Sequence, residues 1–238
     1  MAFGRKKQGQ PITATAAAED VEIEISQLQY FLLFFISFLI LYLFIRPFAD
    51  VKKKRAWLLG GVCAFVTSAL SLRSWYIGIN NGFSQEFMVS RDLITDFTCH
   101  FFRSLNICDL LIGLFDYREH IDPLSGWIHH IAYIWLMTSV LNTQIGHAMI
   151  LFFIEEIPTG LLALGYIFPK HRTDYGFGIT FFLLRILLHA FGLYLLAVNR
   201  EHDQLRGYWF TVTLTMLLHV FWFRGWIISM MKKYSKEK

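Results

Sequence analysis

An all-α membrane bundle of about seven transmembrane helices follows from three features of this chain: its apolarity, the length of its apolar runs and the positions of its prolines. Of its 238 residues 55% are hydrophobic and only 17% charged, and the mean hydropathy is +0.44, a composition that excludes an ordinary water-soluble enzyme. The apolar residues gather into runs of about 20, the length a helix needs to cross roughly 30 Å of hydrocarbon. Pro47, Pro123 and Pro169 fall between those runs, where a missing N–H does least harm.

Residues 1–27 read as a polar, flexible tail, basic at Arg5-Lys6-Lys7 and acidic from Glu19 to Glu24. The spans expected next are 28–46, 56–79, 97–115, 124–141, 145–168, 176–198 and 207–231, making 28–231 one transmembrane domain followed by a basic, cytosolic tail at 232–238. The third span is the most polar, carrying His100, Arg103, Asn106 and Asp109. Seven crossings place twelve Lys and Arg on the side of the first, third and fifth connections and the C-terminus, against six on the other side. The positive-inside rule then puts the C-terminus in the cytosol.

Absences narrow the chemistry. The basic residues flank apolar runs and form no continuous basic domain, so nucleic acid is not an expected partner. Cys63, Cys99 and Cys108 form no CxxC pair. The nine histidines form no HxxHH box, which leaves no expected metal centre, and no span holds a lysine for a retinal Schiff base. P-loop, GxSxG and HExxH motifs are missing.

Ionisable groups inside a membrane are costly and mark either function or the ties between helices. In the fourth span His129 and His130 are adjacent, so they point about 100° apart and serve two neighbours; Tyr133 lies one turn on. Neutral imidazole suits a general base or nucleophile at an acyl group, and it equally suits interhelical hydrogen bonding. The fifth span carries Glu155-Glu156-Ile157-Pro158, where two adjacent anions in hydrocarbon need a proton or a cation. Pro158 clashes with the Ile154 carbonyl and predicts a kink near Glu155. Arg185 and His189 share a face of the sixth span, with Arg185 the expected partner of a buried Glu. His219 lies on a stripe of the seventh with Thr211, Thr215, Trp222 and Trp226.

Taken in order, Asp109, the loop Asp116-Tyr117-Arg118-Glu119-His120, the run Trp127-Ile128-His129-His130-Ile131, the segment Glu155-Glu156-Ile157-Pro158-Thr159-Gly160 and the run Phe181-Phe182-Leu183-Leu184-Arg185-Ile186 resemble the TLC domain. That family includes ceramide synthases, translocon-associated membrane proteins and smaller TLC-domain proteins. The resemblance covers most of the chain after the first helix. It implies a bundle enclosing a cavity for a lipid acyl chain, usually in the endoplasmic reticulum; the alternative setting is the mitochondrial inner membrane or another organelle, as part of a complex. Ceramide synthases carry a further His three before the pair and an Asp three after it, where this chain has Gly126 and Tyr133.

The expected function is therefore lipid binding in membrane-lipid metabolism or homeostasis. Asp109, Tyr133, Glu155, Glu156, Arg185, His189 and His219 are expected to line the polar end of the cavity, beside His129 and His130. The alternatives are a lipid N-acyltransferase, with those two histidines catalytic and acyl-CoA as co-substrate, and a non-catalytic subunit packed against other membrane proteins. No cofactor is expected.

Overall fold

The structure, a computed structural model, describes residues 14–236, with side chains from 26 to 235. The described residues are helical and contain no strand. Helix α1, Ala14–Ile45, begins in the Ala- and Glu-rich stretch, so the second half of the expected flexible tail is helical. Residues 1–13 of that tail lie outside the described residues. Helix α2 is Leu58–Asn80, ended by Gly82 and Phe83 at φ 60° and 51°. Helix α3, Leu93–Asp116, starts from a capping box: Asp92 Oδ1 accepts from the Thr95 N–H at 2.9 Å, and Thr95 Oγ1 accepts from the Asp92 N–H at 2.9 Å.

Helix α4 opens as a π-helical stretch, Pro123–Ile128, and continues as His129–Leu141. Its first N–H groups find the Asp122 carboxylate, which accepts from Leu124 at 3.0 Å and Ser125 at 2.8 Å. Helix α5, Gly146–Ile167, tightens to 3₁₀ geometry through Leu151–Glu156 and resumes as an α-helix with Pro158 in its first turn. The irregularity falls where the missing proline N–H demands it. Helix α6, Asp174–Val198, widens to a π-helical stretch at Phe182–Leu188. Helix α7, Tyr208–Lys236, runs on through most of the expected C-terminal tail.

Contacts between connections fix the up-and-down order of these seven rods. At one end Lys52, before α2, meets Glu119, before α4, at 3.0 Å. Trp57 stacks on Tyr166 at the end of α5, and Lys233 of α7 meets Asp174 at the start of α6 at 3.1 Å. At the other end Arg91 donates to the Leu141 carbonyl at 2.7 Å, and the Gln144 N–H donates to Gln204 before α7 at 3.1 Å. The Lys- and Arg-rich connections thus share one end of the bundle.

Among the described residues, five segments are long and apolar enough to cross a membrane: Ser26–Phe48, Lys52–Asn80, Gly146–Ile167, Asp174–Val198 and Asp203–Ser235. The count of seven is not reached on this measure, because α3 and α4 carry the charged and imidazole side chains that lower their hydropathy. The packing shows why those residues are affordable. Of the α3 set, His100, Asn106 and Asp109 are buried against neighbouring helices. Large apolar side chains face outward instead, among them Phe44, Tyr76, Phe115 and Leu217. In water each would forgo roughly 1.5–3 kcal/mol of burial, which hydrocarbon surroundings remove.

Close approach of α2 to α5 rests on small side chains. A Cβ on Gly61 would stand 2.7 Å from that of Ala163, while Thr67, Ser71 and Ser74 are fully enclosed. Cys63, Cys99 and Cys108 are free and buried.

Candidate functional site

Three helices bring their polar residues to one buried node. Glu155 lies in the 3₁₀ stretch of α5, Arg185 and His189 at the π-helical stretch of α6, and His219 midway along α7. The Arg185 Nε–H donates to the Glu155 carbonyl oxygen at 2.8 Å and Nη2 to Thr159 Oγ1 at 2.8 Å; the same nitrogen lies 3.4 Å from Glu156 Oε1. Nε and Nη2 of the guanidinium thus have acceptors, and the Glu156 carboxylate stands close enough to offset its charge, as a buried cation requires. His189 Nδ1 faces both oxygens of Glu155, at 2.8 and 2.9 Å, and its Nε2 faces the Val212 carbonyl at 2.9 Å. His219 Nδ1 lies 3.0 Å from the Arg185 carbonyl and 3.7 Å from Glu155 Oε2.

This geometry fixes much of the proton count. A carbonyl only accepts, so His189 Nε2 and His219 Nδ1 each carry a hydrogen. A neutral His189 would then turn a bare Nδ1 lone pair toward a carboxylate, two acceptors face to face. One further positive charge between Glu155 and His189 removes that conflict.

The adjacent histidines diverge. His129 packs its ring against Tyr133 at 4.6 Å and Trp222 of α7 at 6.1 Å, on the side of the Arg185 node. His130 turns to α3, where its Nδ1 lies 3.6 Å from Asp109 Oδ2. Asp109 also accepts from the Tyr117 hydroxyl at 2.6 Å, making a second polar node. An acidic side chain of α3 thus stands beside His130, although no hydrogen bond joins the two. No sequence spacing within α4 could have revealed it.

The described structure does not place an enclosed acyl slot at these residues. A cleft of about 360 Å³ lies elsewhere, between α1 and α3, lined by Leu39, Tyr42, Leu43, Arg46, Phe115 and Asp116, among others. At its polar end Asp116 accepts from the Tyr42 hydroxyl at 2.5 Å and from Arg55 Nη1 at 3.0 Å, and its Oδ2 lies 2.9 Å from Arg46 Nε. The Arg46 side chain remains 44% exposed, leaving guanidinium donors for another acceptor. The sequence signal for this cluster is Tyr42 and Arg46, one turn apart at the end of the first expected span.

In the connection before α4, hydrogen bonds from the Ser125 N–H and hydroxyl, and from the Leu124 N–H, hold the Asp122 carboxyl below its usual value. Comparisons with protein-family models, curated proteins and solved structures find no match for this chain. The TLC resemblance therefore rests on the motifs quoted above.

Proposed function

We propose that this chain is a seven-crossing membrane protein of TLC type that binds one membrane lipid and acts in lipid metabolism or homeostasis, in the endoplasmic reticulum. The seven crossings are supported by the alternation of the rods: α3 and α4 run between the same two ends as their apolar neighbours. At 24 residues α3 is about 36 Å long, enough for the hydrocarbon layer.

The observation that carries lipid binding is the α1–α3 cleft. Leu39, Leu43 and Phe115 form an apolar wall, and the Tyr42–Asp116–Arg46 cluster lies at the end of the bundle where the basic connections gather. An acyl chain suits that wall, and an anionic headgroup suits the exposed face of Arg46. Leu43→Trp fills the cleft from its apolar side without touching a charged group. Extraction of lipid from wild-type and variant protein in matched detergent is the test. The expected result is reduced lipid in a variant of unchanged melting temperature; equal lipid in the two proteins contradicts the assignment.

One observation favours acyl transfer as the second reading: His130 has an acidic neighbour in Asp109, whose carboxylate stands 3.6 Å from Nδ1 and would orient the ring as a base after a small side-chain shift. Turnover of acyl-CoA by the purified chain would promote that reading.

A further inference from the structure

We propose that Glu155, His189 and His219 form a binding site for a divalent cation of the zinc class. One ligand atom from each of these residues lies within 4.8 Å of the other two, and all three side chains are buried, at 6%, 3% and 3% exposure. Two imidazoles and one carboxylate are a donor set suited to zinc, which takes N and O ligands at roughly 2.0–2.2 Å. Tetrahedral bonds of that length separate neighbouring ligand atoms by about 3.3 Å. Here His189 Nδ1 is 2.8 Å and His219 Nδ1 3.7 Å from the Glu155 oxygens, so ligation needs only small side-chain adjustments.

The outer contacts fit as well. The Nε2–H of His189 is held by the Val212 carbonyl, the anchoring that ligating histidines show, and it leaves Nδ1 as the free donor facing Glu155. A cation at that point replaces the face-to-face acceptors with two ligand bonds. His219 gives up its Arg185 carbonyl contact and shifts its ring proton from Nδ1 to Nε2, so that it stays a neutral imidazole with Nδ1 free to bind the ion. The charged neighbours are Arg185 and Glu156, which pair with each other, so the Arg185 charge is balanced before the ion enters. Glu155 and His189 lie in and directly after the 3₁₀ and π-helical stretches, departures from regular helix that cluster at functional sites. Three protein ligands leave a tetrahedral ion one further position, for water or a substrate oxygen.

The sequence concealed this set because its members come from three helices, 34 and 30 residues apart in the chain. The inference rests on the buried triad and not on the lipid reading; the α1–α3 cleft shares no residue with it. The test is elemental analysis of the full chain, purified without a histidine tag or chelator from zinc-supplemented cells. It is paired with visible absorption after incubation with Co²⁺. The expected result is one ion per chain and the absorption bands of tetrahedral Co²⁺. Both should fall to background in folded Glu155→Gln, His189→Gln and His219→Gln variants and persist in His171→Gln, an exposed loop position. Wild-type protein with neither stoichiometric metal nor a Co²⁺ spectrum overturns the site, as does equal metal in all variants. If the triad variants fail to fold, the wild-type Co²⁺ spectrum alone decides.

Discussion

Arg185 shows how a single residue holds this interior. Its guanidinium ties the Glu155 carbonyl, Thr159 and Glu156 on α5, and its own carbonyl meets His219 on α7. Removing one partner of a buried ion pair strands the other, at a cost of about 3–5 kcal/mol. Arg185→Ala should therefore lower the melting temperature in detergent well below that of Arg118→Ala, an exposed loop change; equal losses would contradict the pairing. At His129 and His130 the expected outcome of a double Gln replacement is a folded protein that keeps its lipid, since His129 makes ring contacts and His130 an interhelical one. Wild-type acyl transfer that falls by roughly 10²- to 10⁴-fold in the folded variant would instead make them catalytic. At Asp122 the depressed carboxyl pKa sets the sign of a pH effect. Its stabilisation is fully present above the unfolded value of about 3.9 and is lost as pH falls through the folded value. Asp122→Ala should cost about 0.5–2 kcal/mol at neutral pH, and the gap to wild type should close in acid.

At the scale of the helix, the length of the apolar runs and the prolines made most of the elements legible. Pro123 begins α4, Pro47 and Pro169 lie in the turns after α1 and α5, and the distortion expected from Pro158 appears as the 3₁₀ stretch ending at Glu156. The divergence of His129 and His130 was also readable, because adjacent helical positions point apart. What stayed hidden depends on which helices touch. The sequence offered Arg185 a carboxylate but could not show that His189 and His219 meet at Glu155, nor that Asp109 reaches His130. The π-helical stretch in α6 has no local signal in Phe182–Leu188, and nothing in those residues explains it. Glycine contacts give the element-scale test. A Cβ on Gly192 of α6 would stand 2.5 Å from the Phe152 ring of α5, a pair adjoining His189. Gly192→Val should lower thermal stability by more than Gly225→Val, where open space surrounds the Cβ.

Across the whole molecule, apolar surface outside and paired charge inside reverse the arrangement of a soluble bundle. The helices α1 and α7 are the most exposed of the apolar segments, with 17% and 6% of their most apolar windows buried. Lipid or other membrane chains must cover them. The basic connections gather at one end of the bundle, and the positive-inside rule predicts that this end faces the cytosol: a reporter after Lys238 should be cytosolic and a tag before Met1 protected in sealed vesicles. Both ends accessible from one side would leave an even number of crossings. The central claim, a lipid-binding membrane bundle, is tested most directly by native mass spectrometry of the gently purified wild-type chain. The account predicts a chain carrying one lipid that survives release from detergent. A bare chain, or one recovered only in fixed stoichiometry with other proteins and without lipid, would contradict it.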